Sequence, residues 1–266
     1  MTQTLSASFV LCQRELIRFV RQRNRVIGSL VTPLVFWVFI GFGMGHSFAG
    51  TAGQEQQGYT TYFFPGTILL SLLFTAIFST ISIIEDRREG FLQGVLVAPV
   101  GRNAIVGGKV LGGAVMATLQ GVILVLLGWV SGVIHLSAVS FLASIVVMFI
   151  ASIGLTALGL LIAWKLTSTQ GFHVVMNIFL MPMWLLSGAL FPIRDDTPRL
   201  FAGVMLVNPL TYALASLRRT MGDVSPVWPS KLNGLPVSLA ITVIATIAMV
   251  AAAAWIAQSR SAADAA

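Results

Sequence analysis

VLGGAVMATLQGVILVLLGWVSGVIHLSAVSFLASIVVMFIASIGLTALGLLIAW, residues 110–164, runs from Lys109 to Lys165 without one Asp, Glu, Lys or Arg. A helical crossing of a bilayer takes about 20 residues at about 1.5 Å each. These 55 residues are too many for one crossing, so the run folds back once. Ser131, Gly132, His135 and Ser137 mark the turn. The apolar stretches on either side are continuous rather than alternating, which favours helices over the strands of a closed barrel.

Outward from this run lie four more charge-free intervals: 29 residues between Arg25 and Glu55, 29 between Glu55 and Glu85, 28 between Lys165 and Arg194, and 28 between Lys231 and Arg260. Each holds one crossing. The fold expected is an all-α integral membrane protein with six transmembrane helices near residues 26–45, 62–84, 110–134, 139–163, 172–191 and 235–257. Of the 266 residues, 56% are hydrophobic and 9% charged, against about a quarter charged in soluble domains. The net charge of +7 sits between the apolar runs. It therefore reads as span flanks, not as a nucleic-acid surface.

Residues 200–217 are also charge-free, but Asn208-Pro209 splits them. Proline removes a backbone donor and disfavours helix in the residue before it. The segment reads as two short re-entrant helices in the outer leaflet between spans 5 and 6; a true crossing there would put the C-terminus outside. With both termini cytoplasmic, eleven of the sixteen Lys and Arg fall on the inner side, five of them in the first 25 residues, as the positive-inside rule requires. No apolar region with a small-residue cleavage site precedes the first span, so the N-terminus is expected to be retained.

No Asp, Glu, Lys or Arg falls inside the six spans, which argues against an ion-coupled carrier or proton pump. A single cysteine, Cys12, excludes a disulfide framework. His46, His135 and His173 stand singly near span ends and read as interfacial residues, so no metal site is expected. Residues 103–110 end in Gly108-Lys109-Val110, without the first glycine and the terminal Ser or Thr of a phosphate loop. Gly45-His46-Ser47-Phe48-Ala49 stops one glycine short of a nucleophile elbow. No catalytic residue is assigned.

Arg14, Arg18, Arg21 and Arg25 are spaced four, three and four apart, with Phe9, Leu16, Phe19 and Val20 beside them. This predicts an amphipathic helix on the inner leaflet; a topogenic charge cluster would explain the number of arginines but not their spacing. After the second span, Phe91, Leu92, Val95 and Leu96 have one-face helical spacing and stop before Pro99. A short surface helix follows, its apolar side meeting headgroups, the bundle or another protein. Tyr59, Tyr62, Phe63 and Phe64 cluster at the outer mouth of the second span, as an interfacial anchor or as part of a substrate path. Gly41 with Gly45, Gly108 with Gly112, and Gly128 with Gly132 are candidate close-packing pairs, and Pro182 predicts a kink in the fifth span.

Tyr62-Phe63-Phe64-Pro65-Gly66, Leu96-Val97-Ala98-Pro99-Val100, Leu186-Ser187-Gly188-Ala189-Leu190-Phe191-Pro192 and Asn208-Pro209-Leu210-Thr211-Tyr212, in this order and spacing, resemble the membrane subunits of ABC-2 type ABC transporters. Relatives in that class export drugs, polysaccharides and lipid-linked glycans. The resemblance implies a bacterial inner-membrane permease with no ATPase site or cofactor of its own, paired as a homodimer in membrane lipid and served by an ABC ATPase subunit that holds ATP and Mg. It also implies that the loop after span 2 docks on the ATPase through Glu85, Asp86, Arg87, Arg88, Glu89 and Gly90, with Phe91 and Leu92 continuing the helix. The N-terminal helix flanks the same groove. Arg218 and Arg219 would lie near the outer surface, in reach of anionic headgroups.

On this reading residues 1–266 form a single transmembrane domain, with an amphipathic helix over 1–25, a coupling loop over 85–109 and an outer loop over 192–234. Two rivals remain. A gradient-driven carrier or channel would need a polar pathway and finds only Ser, Thr, Asn177 and Gln120. An accessory membrane protein would bind a partner through the basic N-terminal helix and move nothing.

Overall fold

The computed structural model describes residues 2–52, 56–97, 101–191, 197–222 and 234–259. Among the described residues no strand forms; the chain is a succession of helices, α1 (Thr2–Arg21), α2 (Arg23–Ala52), α3 (Gln56–Ser79), α4 (Ile81–Arg88), α5 (Phe91–Val97), α6 (Arg102–Val130), α7 (Ala138–Lys165), α8 (Thr169–Val175), α9 (Met181–Trp184), α10 (Arg199–Val207), α11 (Pro209–Thr220) and α12 (Leu235–Ser259). Five segments are long and apolar enough to cross a membrane: Gly58–Arg88, Arg102–Val130, Ala138–Lys165, Thr169–Ala189 and Leu235–Gln258. Two bent pairs raise the number to as many as seven: Ser6–Arg21 with Val26–Gly41, at 69°, and Arg199–Val207 with Pro209–Thr220, at 79°.

The long charge-free run folds back as its sequence requires. Gly132 adopts a left-handed φ of 74° after α6, a conformation that costs a residue with a Cβ about 1–2 kcal/mol. The Ser137 hydroxyl then caps α7, accepting from the Ser140 amide at 3.1 Å, which satisfies one of the orphan donors of the first turn. At the centre of the bundle stands α3, whose Phe63, Phe64, Ile68, Leu72, Leu73 and Ile77 are all buried. Around it pack α2, α6 and α7, with α12 outside them against α7 and α11. The amide of Gln120 donates to Ser29, and Gln120 also meets Thr75, so this polar residue ties three helices and lines no path.

Of the three glycine pairs, Gly108 and Gly112 have a clear use: α1 lies in the groove they leave on α6. A Cβ on Gly108 would come within 2.6 Å of Leu11 Cβ and 2.9 Å of the Ser8 carbonyl oxygen, and one on Gly112 within 2.9 Å of Glu15 Cβ. Gly41 approaches Thr60 on α3, and Gly128 makes room for the Phe64 ring.

The fifth span meets its proline by changing helical register. α8 gives way to a π-helical turn at Met176–Leu180, Pro182 sits in the first turn of α9, and a second π turn covers Leu185–Ala189, within which Gly188, at φ 85°, breaks the helix. Proline lacks the N–H of a regular ladder, and wider turns on either side absorb the mismatch. Asn208 makes the break between α10 and α11. Its amide oxygen accepts from Leu210 N at 3.0 Å while its nitrogen donates to the Met183 carbonyl at 2.5 Å. Thr211 and Tyr212 hydroxyls donate back to the carbonyls of Met205 and Leu206, both at 2.7 Å, and hold the bend.

Candidate functional site

The segment after the second span does not begin as a free loop. α4 continues the span helix to Arg88, and Gly90 at φ 76° turns the chain into the separate helix α5. Phe91 and Leu92 therefore open a new helix and do not extend the previous one. Only glycine enters that left-handed region at little cost, so the reversal is written in residue 90.

Where α1, α4 and α6 meet, charges are buried. Lys109 Nζ donates to Glu15 Oε1 at 2.6 Å, to Asp86 Oδ2 at 2.5 Å and to Ser82 Oγ at 2.8 Å. Lys109 and Glu15 are each 4% exposed and Asp86 1%. Arg14 grips the two Asp86 oxygens at 3.1 and 2.8 Å, and Arg18 joins Asp86 at 2.9 Å to Glu85 at 2.7 Å. Such a cluster is tolerable only when every charge is paired and hydrogen-bonded, as Asp86 is by three cations. The hydrogen bond from Arg14 to Asp86 raises the guanidinium above its ordinary value, and burial raises the neighbouring Cys12 thiol.

This geometry sorts the eight residues from Glu85 to Leu92 that the resemblance assigned to docking. Glu85 and Asp86 face inward onto the arginines of α1. Arg87 also turns in, donating to the carbonyls of Trp164 and Leu166 at 3.0 and 3.2 Å, where it closes the unsatisfied C-terminal end of α7. Leu92 is buried. Arg88, Glu89 and the 38%-exposed Phe91 remain on the surface around Gly90. Arg14 stacks over the Phe91 ring at 3.8 Å, so the exposed tip is tied to α1 as well.

On the N-terminal helix the arrangement also differs from a simple leaflet-bound stripe. Arg14 and Arg18 point into the protein, Phe19 is buried, and Phe9, Val10 and Val20 face outward. Arg21 is exposed, and the Arg25 side chain lies outside the described residues. Two members of the cluster, Glu15 and Lys109, were not singled out from sequence. Their signal was present: a lone acid on the arginine face of α1, and a lysine inside the Gly107–Gly112 groove.

At the opposite end of the bundle the aromatic cluster divides. Phe63 and Phe64 belong to the core, while the Tyr59 and Tyr62 hydroxyls donate to the carbonyls of Leu190 at 3.2 Å and Gly188 at 2.8 Å. Arg218 is not at the surface with the headgroups. It is 6% exposed, stacks over the Tyr62 ring at 3.9 Å and donates to the Gly188 carbonyl at 3.0 Å. The left-handed Gly188 frees that carbonyl from the helical ladder, and the guanidinium takes it up.

Comparison with known proteins agrees with a transport bundle. The ABC-2 type transporter family pattern matches residues 7–221. The chain is 26% identical over 225 residues to the transport permease ycf38 of Cyanophora paradoxa, covering 84% of this chain and 77% of that one. It is 26% identical over 198 residues to Nodulation protein J of Rhizobium leguminosarum bv. viciae, 74% of each chain. Over 159 residues it is 26% identical to the multidrug ABC transporter permease YbhR of Escherichia coli K12, covering 58% of this chain and 42% of that one. The matched region begins in α1, takes in the whole buried charge cluster and ends with the bent α10–α11 pair, and on that footing the chain belongs to the ABC-2 type transporter family, whose membrane subunits are transport components of ABC transporters without their own ATPase.

Proposed function

We propose that this chain is the permease half of an ATP-driven exporter, a homodimer in the inner membrane that docks an ABC ATPase subunit at Arg88, Glu89, Gly90 and Phe91. One observation carries the reading. An exposed tip with both charge signs and an aromatic ring stands on a base of buried, mutually paired charges joining α1, α4 and α6. A push on such a tip moves three helices together, since separating them would strand charges away from water. ATP and Mg belong to the partner, whose closure tilts the spans and opens a path between the two copies. The domain is counted as six spans, with both termini cytoplasmic and α10–α11 dipping into the outer leaflet. Export is favoured because a relative is named for multidrug transport. Of the four aromatic residues assigned to the outer mouth, the partly exposed Tyr59 and Tyr62 are the ones that would meet cargo.

The test is purification of the tagged protein from its own membrane in mild detergent, followed by identification of co-purifying proteins and an ATP hydrolysis assay. A soluble ATPase in stoichiometric amount, released or uncoupled by Arg88→Glu or Glu89→Lys, is the expected result. A preparation without ATPase even after crosslinking would overturn the reading in favour of a carrier or an accessory protein.

A further inference from the structure

Asp86 and Arg87 are neighbours in α4 and point to different parts of the bundle. Asp86 is held between α1 and α6 by Arg14, Arg18 and Lys109. Arg87 reaches instead to the end of α7, where its two terminal nitrogens donate to the Trp164 and Leu166 carbonyls at 3.0 and 3.2 Å. These carbonyls bracket the place where the α7 ladder stops. Leu166 and Ser168 are extended, with φ/ψ of −102°/143° and −124°/140°, and the Ser168 hydroxyl accepts from the Gly171 amide at 2.9 Å to open α8. Residues 166–168 alone separate α7 from α8, and short non-helical connections at element ends are where a hinge absorbs motion.

The bonds on the two sides of α4 differ in kind. Around Asp86 every charge has an opposite charge, and pulling one away strands it out of water. Among the described residues Arg87 meets neutral carbonyls and no carboxylate, and its side chain is partly exposed. Its bonds can therefore lengthen and re-form on the open carbonyls at the end of α7 without leaving a bare buried charge. α4 is thus clamped on one side and bracketed by exchangeable bonds on the other. We infer that Arg87 is a positioning residue of the transport cycle: it ties the tip at residues 88–91 to the α7–α8 junction, so that displacement of the tip turns α8 about residues 166–168. The inference rests on the permease reading above, and it sets Arg87 apart from residues that would touch the ATPase, because its guanidinium is engaged within the chain.

In a Cys12→Ala background, Gln170→Cys places the only thiol on the exposed first turn of α8, where it takes an environment-sensitive fluorophore. The labelled protein is purified in lipid with its co-purifying ATPase, and emission is compared before and after trapping with ATP and vanadate. A shift on trapping is expected in this parent and in Lys165→Gln, which removes the exposed cation at the end of α7. Arg87→Gln should keep the ATPase and its ATP hydrolysis but lose the shift. Arg87→Lys, whose ammonium still donates to a carbonyl, should recover part of it. An undiminished shift in Arg87→Gln overturns the inference. So does loss of the bound ATPase in that variant, which would make Arg87 a docking residue, or an equal loss of the shift in Lys165→Gln. If Arg87→Gln yields no folded protein, Arg87→Lys decides alone, and a full shift there overturns the inference. A parent preparation without ATPase fails differently, because it rejects the permease reading itself.

Discussion

Lys109 is the residue on which the α1–α4–α6 charge junction turns, and its removal discriminates among its partners. In Lys109→Met, Asp86 keeps Arg14 and Arg18, but Glu15 retains only Arg14 at 3.4 Å. Removing one partner of a buried ion pair costs about 3–5 kcal/mol, so this variant should lose heat resistance in detergent, read as a lower midpoint of aggregation by size exclusion. Lys109→Met combined with Glu15→Leu should recover most of the loss, and the double-mutant cycle measures the coupling. Gly90 is decided by its backbone. Gly90→Val forces a β-branched residue to φ 76°, which should leave the bundle folded yet misdirect α5, seen as normal yield with reduced ATPase binding.

Among the elements, α1 departs most from the picture of a helix resting on lipid, because α6 offers it a glycine groove. Gly108→Leu would drive atoms into Leu11 and the Ser8 carbonyl, whereas Gly28 has nothing within 4 Å of an added Cβ. Gly108→Leu should therefore release α1 and expose its arginines to limited trypsin digestion, while Gly28→Ala leaves the cleavage pattern unchanged. The elements themselves were legible from charge-free lengths: the fold-back, the break at Asn208-Pro209 and a short helix at Phe91 all follow from single residues with strong backbone preferences. What sequence could not give was direction. Arg14, Arg18, Asp86 and Arg218 read as surface charges because ionised groups usually are, and only tertiary packing brings opposite charges or freed carbonyls to them. The register shifts around Pro182 were likewise hidden, since a proline signals a disrupted ladder but not how neighbouring turns will absorb it.

For the whole molecule, the two ends are built differently. One end concentrates paired charge at the α1–α4–α6 junction, and the other holds the bent α10–α11 pair, with Arg218 joined to Tyr62 and Gly188. A force applied at Arg88–Phe91 enters the bundle through the last turn of its most deeply buried helix, the continuous Gly58–Arg88 segment, and that helix reaches Tyr62 at the far side. The ends are thus mechanically linked through one helix. Disturbing the charge clamp with Asp86→Asn should alter trypsin cleavage at the exposed Arg199 of the far end in membranes, while a lipid-facing change such as Val146→Ala should not.

The central claim is tested most directly by a photo-crosslinking residue placed at position 89, with one at the exposed position 139 in the first turn of α7, at the opposite end, as control, followed by identification of the crosslinked partner from intact membranes. The account requires position 89 to capture an ATP-binding protein and position 139 to capture none. Capture of no ATPase from position 89, or equal capture from both positions, would contradict it.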